Sequence, residues 1–131
     1  GSSSIAIGLN TQTRSASAGA IALGNNAASG GAGSIAAGYF ATTEAGSEGS
    51  IALGNLTNAG GVGNVALGFN TEARLGVGAV AMGINTSSNG NAALAVGEQT
   101  QAVTKGSVTA GYLSTSLRGN YGMALGVGLR T

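Results

Sequence analysis

The chain has 131 residues and very little charge: five Lys or Arg residues against four Asp or Glu residues give a net charge of +1, and His, Cys and Pro are all lacking. This balance provides no electrostatic basis for binding nucleic acid or an anionic membrane surface. Without His and Cys, His-based catalytic triads, thiolate nucleophiles and His or Cys metal sites cannot be assembled. We therefore expect no enzymatic activity and no cofactor.

A five-residue motif, typified by Ser50-Ile51-Ala52-Leu53-Gly54, recurs along the whole chain. Its nine copies close at Gly8, Gly24, Gly38, Gly54, Gly68, Gly83, Gly97, Gly111 and Gly126. The steps between these closing glycines are 14 to 16 residues, too short for a repeat of two helices and a turn. The spacing predicts a single all-β domain over residues 1–131, built as a β-solenoid of about nine coils.

The motif predicts the first strand of each coil. Side chains alternate between the two faces of a strand, so the second and fourth residues share one face and the third lies on the other. We predict that the large aliphatic residues, such as Ile51 and Leu53, face the core. The third residues would then form an outward stripe of small side chains, suited to contact with another copy of the chain. With three aromatic residues that follow closing glycines, the predicted interface residues are Ala6, Ala22, Ala36, Ala52, Ala66, Ala81, Ala95, Thr109, Ala124, Tyr39, Phe69 and Tyr112.

The residues after each closing glycine predict a second, shorter strand. The third and fifth residues after the glycine are nearly all small and uncharged, whereas the residue between them is mostly polar, as in Thr71-Glu72-Ala73. This alternation predicts small residues inward and polar residues outward. The polar face and the loops beside it are the candidate ligand-binding surface, with Gln12, Arg14, Glu48, Glu72, Arg74 and Gln101 as its residues.

Glycines predict the two corners of each coil. The closing glycine is expected at a reversal with positive φ, which a side chain would resist. A second glycine precedes most first strands by two residues, as Gly49 and Gly63 do. The extra residues of the longer coils fall before this second corner, where insertions lengthen loops without disturbing the stack.

The Ser-Ile/Val-Ala-Ile/Leu-Gly coil at a period near 14 resembles the head repeat of the YadA-like trimeric autotransporter adhesins, and the resemblance covers essentially the whole chain. It implies a left-handed parallel β-roll, a homotrimer in which three rolls pack about a common axis, and binding of a host extracellular-matrix protein such as collagen or of a cell-surface receptor. We expect the alanine stripe to be the surface that the three chains share. The resemblance also implies a place on the bacterial cell surface. The family's neck, stalk and C-terminal outer-membrane anchor have no counterpart here, so we expect a fragment of a longer chain whose head does not itself contact the membrane.

Two other functions remain open at this point. A phage or viral receptor-binding fibre could use the same coil, and neighbouring tail genes or an autotransporter anchor would separate it from an adhesin. An ice-binding solenoid would need outward ranks of threonine, whereas Thr11 and Thr13 are predicted to face inward. Thermal hysteresis would identify that activity.

Overall fold

The computed structural model describes residues 2–131 and shows an all-β parallel β-solenoid of about nine coils. Gly1, the first residue of the predicted domain, lies outside the described residues. Between residues 2 and 131 no helix forms, and accordingly none is long and apolar enough to span a membrane. The predicted all-β solenoid is confirmed.

Each coil contributes one longer strand, and most coils add a strand of two residues. The longer strands are β1 (Ile5–Ile7), β3 (Ile21–Leu23), β5 (Ile35–Ala37), β7 (Ile51–Asn55), β9 (Val65–Phe69), β11 (Val80–Ile84), β13 (Leu94–Glu98), β15 (Val108–Tyr112) and β17 (Met123–Val127). The short strands are β2 (Gln12–Thr13), β4 (Ala28–Ser29), β6 (Thr42–Thr43), β8 (Asn58–Ala59), β10 (Glu72–Ala73), β12 (Ser87–Ser88), β14 (Gln101–Ala102) and β16 (Thr115–Ser116). The longer strands form a nine-stranded sheet and the short strands an eight-stranded sheet, both in chain order. We call them the long-strand sheet and the short-strand sheet.

Equivalent residues of successive coils lie in register. Ala52 pairs with Ala66, and Ala66 pairs with Ala81, in parallel strands. Every position of the motif therefore becomes a ladder of residues running up the stack, with a spacing of about 4.8 Å. A property of one motif position is repeated along the whole side of the solenoid.

The long-strand sheet buries the face opposite to the predicted one. Ala52 and Ala66, third residues of the motif, are 0% exposed in the single chain. Their neighbours point outward: Leu53 is 39% exposed, and Ile51 and Leu67 are only half-buried. The prediction that the aliphatic residues form the core, with the alanines outside, is wrong.

The interior between the two sheets is narrow, which explains why the long strands turn their small residues inward instead of their aliphatic ones. Both sheets turn small side chains inward, and the first residue of the motif is buried with the third, as Ser50 and Ala79 show. From the short-strand sheet, Thr71 and Ala73 are buried opposite them while Glu72 points outward, which confirms the predicted phase of the second strand. Side chains of this size let the two sheets approach closely, leaving no room for a layer of Leu or Ile.

The closing glycines are required for two separate reasons. Gly54 has φ of 128°, and a Cβ built on it would lie 1.9 Å from the carbonyl oxygen of Gly68 in the next coil. At the second corner, Gly63 has φ of 64° but open space around it. Ala92 and Tyr121 adopt the left-handed conformation at that same corner, so a side chain is tolerated there. Positive φ is confirmed at both predicted glycine corners.

Candidate interaction surfaces

The outward face of the long-strand sheet is largely apolar, and Asn25, Asn55 and Glu98 are its polar members. We call it the aliphatic face; it consists of the second and fourth residues of each motif and the residue after each closing glycine. Its large exposed members, between 37% and 72% exposed, are Ile5, Ile7, Leu9, Leu23, Tyr39, Leu53, Phe69, Met82, Ile84, Tyr112, Met123, Leu125 and Val127. Within the described part of the chain, Glu98 is the one charged residue on this face. Exposed apolar surfaces of this extent are typical of interaction sites, which makes the aliphatic face a candidate.

The predicted alanine stripe does not reach the surface. All but one of its members are at most 1% exposed in the single chain: Ala22, Ala36, Ala52, Ala66, Ala81, Ala95, Thr109 and Ala124. The hydroxyl of Thr109 donates to the carbonyl oxygen of Gln101 inside the coil, at 3.1 Å. Ala6, on β1, is exposed but belongs to the same inward ladder. The assignment of these residues to a contact between chains is therefore wrong, because they already pack against the opposite sheet of their own chain.

The three aromatic residues of the predicted interface lie on the aliphatic face. Tyr39, Phe69 and Tyr112 are 41% to 49% exposed and point to the same side as Leu53. Their assignment to an interface between chains stays a prediction. In the structure, the aliphatic residues occupy the outward face of the long-strand sheet, which the sequence analysis assigned to the alanines.

Apolar residues missed by the sequence analysis extend this face around the corner. Phe40, Leu56 and Leu113 follow it directly, with φ between 52° and 57° and exposed fractions of 44% to 46%. Bulky residues are uncommon in the left-handed region, and Asn occupies the same corner at Asn70 and Asn85. The rings of Tyr39 and Phe40 meet edge to face with centroids 4.6 Å apart. A large apolar residue where Asn is the favoured choice could have flagged this corner from sequence.

The six predicted ligand-binding residues do not form one site. Gln12, Glu72 and Gln101 lie on the outward ladder of the short-strand sheet. Six coils separate Gln12 from Gln101, about 29 Å along the stack. Arg14 and Arg74 share the ladder that follows this sheet, whereas Glu48 lies at the opposite corner, where its carbonyl oxygen accepts from the amide of Gly63.

Arg74 is engaged by carboxylates of its own chain. Its Nε lies 2.6 Å from Oε1 of Glu44, two coils away, and Nη1 lies 3.7 Å from Oε1 of Glu72. Gly60 occupies the intervening coil, and a Cβ there would lie 2.8 Å from the carboxyl carbon of Glu44. The Nδ2 of Asn58 also donates to Glu44 Oε1, at 3.3 Å. Arg74 is thus already neutralised on this surface.

A groove opens between the left-handed corner and the short-strand sheet in the C-terminal coils. It has a volume of about 470 Å³. We call it the amide groove; its lining residues are Asn85, Gln99, Gln101, Leu113, Thr115 and Arg130. Of the six predicted ligand-binding residues, Gln101 alone lies in it.

Comparison with known proteins assigns the chain to no family. It matches no model of a known protein family and no curated protein. Within residues 2–131, no group of three or more acidic side chains is placed to hold a metal ion. The surfaces described above are therefore the basis for a functional assignment.

Proposed function

We propose that the chain is a head segment of a bacterial trimeric adhesin, a left-handed β-roll that assembles as a homotrimer through its aliphatic face. The observation that carries this proposal is the exposure of large apolar residues along one side of the solenoid, from Ile5 to Val127, interrupted only at β13, where Leu94 and Val96 are half-buried. The resemblance of the coil to the YadA-like head repeat supplies the family and the number of chains. The proposal keeps the trimer but replaces the alanine stripe as its contact surface.

The size of the aliphatic face suits contact with a folded partner. Nine strands stack to about 40 Å, and five residues of strand give a width of about 16 Å, which together make roughly 600 Å². This area lies at the upper end of the largest apolar patches on monomeric proteins, which are often functional. It also approaches the area that each partner contributes to a standard protein interface, about 800 Å².

Register favours another copy of the same chain as the partner. The ladders of the aliphatic face repeat at the spacing of the coils, so parallel copies around an axis present equivalent rows to each other at every level. Glu98 on β13 faces the same side and would lie near its symmetry mates. One carboxylate per chain is a small cost against nine levels of apolar contact.

The short-strand sheet would then carry the adhesive surface. Its outward ladder is Gln12, Ala28, Thr42, Asn58, Glu72, Ser87, Gln101, Thr115 and Arg130, of which Ala28 and Thr115 are only 9% exposed. Many weak contacts along this ladder, multiplied by three chains, give avidity for a repetitive target such as collagen or another matrix protein. The ladder lacks a flat rank of threonines, which disfavours ice binding. In this proposal the head has no catalytic role or cofactor and is displayed on the cell surface by a C-terminal region that anchors in the outer membrane.

A solid-phase binding screen against matrix proteins, collagen among them, tests the adhesive role. The immobilised target should retain the assembled protein at concentrations at which the variant Leu53→Glu, designed to stay monomeric, washes off. A trimer that binds none of the matrix proteins or host-cell surfaces tested would contradict the adhesive role while leaving the assembly intact.

A further inference from the structure

We propose that the amide groove is a binding site for a short acidic oligosaccharide, with Arg130 holding the acidic group. This inference deepens the proposed adhesive function and rests on it for its biological role. All six groove residues come from one chain, so binding can be measured whether or not the chain forms a trimer. The failure of one proposal is therefore distinguishable from the failure of the other.

The groove is formed by backbone that is already fixed. Its corner wall is held by bonds between coils, in which the amide of Gln99 donates to the carbonyl oxygen of Ile84 at 2.9 Å. Gln101 pairs with Thr115, which bridges to Arg130, so the opposite wall rises through successive coils. From Asn85 to Arg130 the groove spans three coil steps, about 14 Å. A preformed cleft of this kind binds without a cost for ordering its walls.

The groove presents unused hydrogen-bonding groups. Within residues 2–131, the side chains of Gln99, Gln101 and Arg130 make no hydrogen bond or ion pair. Asn85 uses its Oδ1 to accept from Asn70 at 2.8 Å, which leaves its own amide hydrogens for a ligand. Side-chain amides donate and accept at once, as sugar hydroxyls do, and Leu113 adds an apolar contact for a sugar ring.

Charge points to one acidic group at the C-terminal end of the groove. Arg130 is the one charged residue of the lining, and no carboxylate lies among the six. A guanidinium binds a carboxylate through two parallel hydrogen bonds. An acidic sugar with its carboxylate at Arg130 would place its hydroxyls along Gln101 and Gln99.

Other ligand classes fit less well. An extended peptide that adds to a sheet needs free backbone groups, whereas the amide of Thr115 already donates to Leu129 O at 2.7 Å. An amphipathic helix needs several apolar anchors, and Leu113 is the single large apolar residue of the lining. A nucleic acid strand needs a row of cations along its phosphates.

The test titrates the purified chain with acidic trisaccharides of the uronic-acid and sialic-acid types, each paired with its carboxyl-reduced neutral counterpart. Calorimetry gives the affinity, and NMR follows the side-chain amides of Gln99 and Gln101. We expect at least one acidic trisaccharide to bind about tenfold more tightly than its neutral counterpart, as one charged hydrogen-bonded contact warrants. The same ligand should shift both amide signals.

Two exposed cations provide the matched variants. Arg130→Gln should remove the preference for the acidic trisaccharide, whereas Lys105→Gln, at the opposite corner, should retain it. An unchanged preference in Arg130→Gln would overturn the proposal. So would millimolar acidic trisaccharides that leave the amide signals unmoved, or a Glu-rich peptide that binds the groove more tightly than any sugar.

Discussion

Ala52 and Ala66 lie side by side on adjacent parallel strands, and both are completely buried inside a single chain. The ladder to which they belong is the inner wall of the long-strand sheet. The interior of this solenoid is therefore set by methyl and hydroxyl groups, while its larger aliphatic side chains point away from it. This arrangement determines which substitutions damage the fold and which damage assembly.

Enlarging an interior alanine should destabilise the chain itself. We expect Ala66→Leu to lower the free energy of unfolding by about 1–3 kcal/mol or more, because four heavy side-chain atoms must fit between closely spaced sheets. Leu67→Ala is the matched control, since Leu67 is half-buried on the outward side; its cost should be about 1 kcal/mol or less. Denaturant unfolding at concentrations where light scattering shows a monomer gives both values. If Leu67→Ala lost more free energy of unfolding than Ala66→Leu, the aliphatic residues would face the core, as the sequence analysis predicted.

The two glycine corners should differ in tolerance. Gly54→Ala combines an unfavourable φ with a clash against the backbone of Gly68, so we expect severe destabilisation or failure to fold. Gly63→Ala meets no neighbouring atom and should cost about 1 kcal/mol for its left-handed φ alone. Thermal melting of the two variants provides the comparison. Equal melting temperatures would refute the close stacking of the closing glycines.

Interior threonines provide a test of hydrogen bonding in the narrow core. Among residues 2–131 the hydroxyl of Thr71 has no hydrogen-bond partner, although it is buried. The hydroxyl of Thr43 donates to Ser34 Oγ and accepts from the amide of Gly30, both at 2.9 Å. Thr71→Val should therefore be neutral or stabilising by up to about 1 kcal/mol, and Thr43→Val should destabilise by about 1–3 kcal/mol. Urea unfolding of both variants measures the difference. Equal losses of unfolding free energy in the two variants would mean that the hydroxyl of Thr71 forms a hydrogen bond in solution.

The ion pair between Glu44 and Arg74 should contribute little to stability. Both side chains are partly exposed to solvent, Glu44 to 34% and Arg74 to 44%. We expect a coupling energy of at most about 1 kcal/mol from a double-mutant cycle of Glu44→Gln and Arg74→Gln. The coupling should shrink in 1 M NaCl because salt screens exposed charges, with the Debye length falling to about 3 Å. A coupling energy that exceeds this value and stays the same in 1 M NaCl would show that the ion pair is shielded from solvent.

The sequence was sufficient to predict the coil, the two corners and the phase of the short strand. The period of closing glycines specifies a solenoid, and the outward position of Glu72 follows from a polar residue between two small ones. The phase of the long strand was mispredicted because alternation defines two faces without saying which is inside. Hydrophobicity favoured Ile51 over Ala52 for the core, but the small residues of the opposite strand, such as Thr71, limit the interior to side chains of their own size.

The surfaces were harder to predict than the fold. Phe40 and Leu56 adopt a left-handed conformation that sequence reasoning reserves for Gly or Asn. The amide groove depends on residues from the corner and from the short-strand sheet of different coils. Gln99 and Gln101 are close in sequence, but Arg130 joins them only through the stacking of two further coils.

The mass of the purified protein in solution tests the central proposal most directly. We expect sedimentation equilibrium to give three times the 12.3 kDa mass of the chain, or a concentration-dependent approach to that value. Leu53→Glu, on the aliphatic face, should sediment as a folded monomer, whereas Ser87→Glu, on the outward short-strand sheet, should keep the mass of the wild type. A wild-type chain that stays monomeric at millimolar concentration, or a Leu53→Glu variant that still trimerises, would contradict assembly through the aliphatic face.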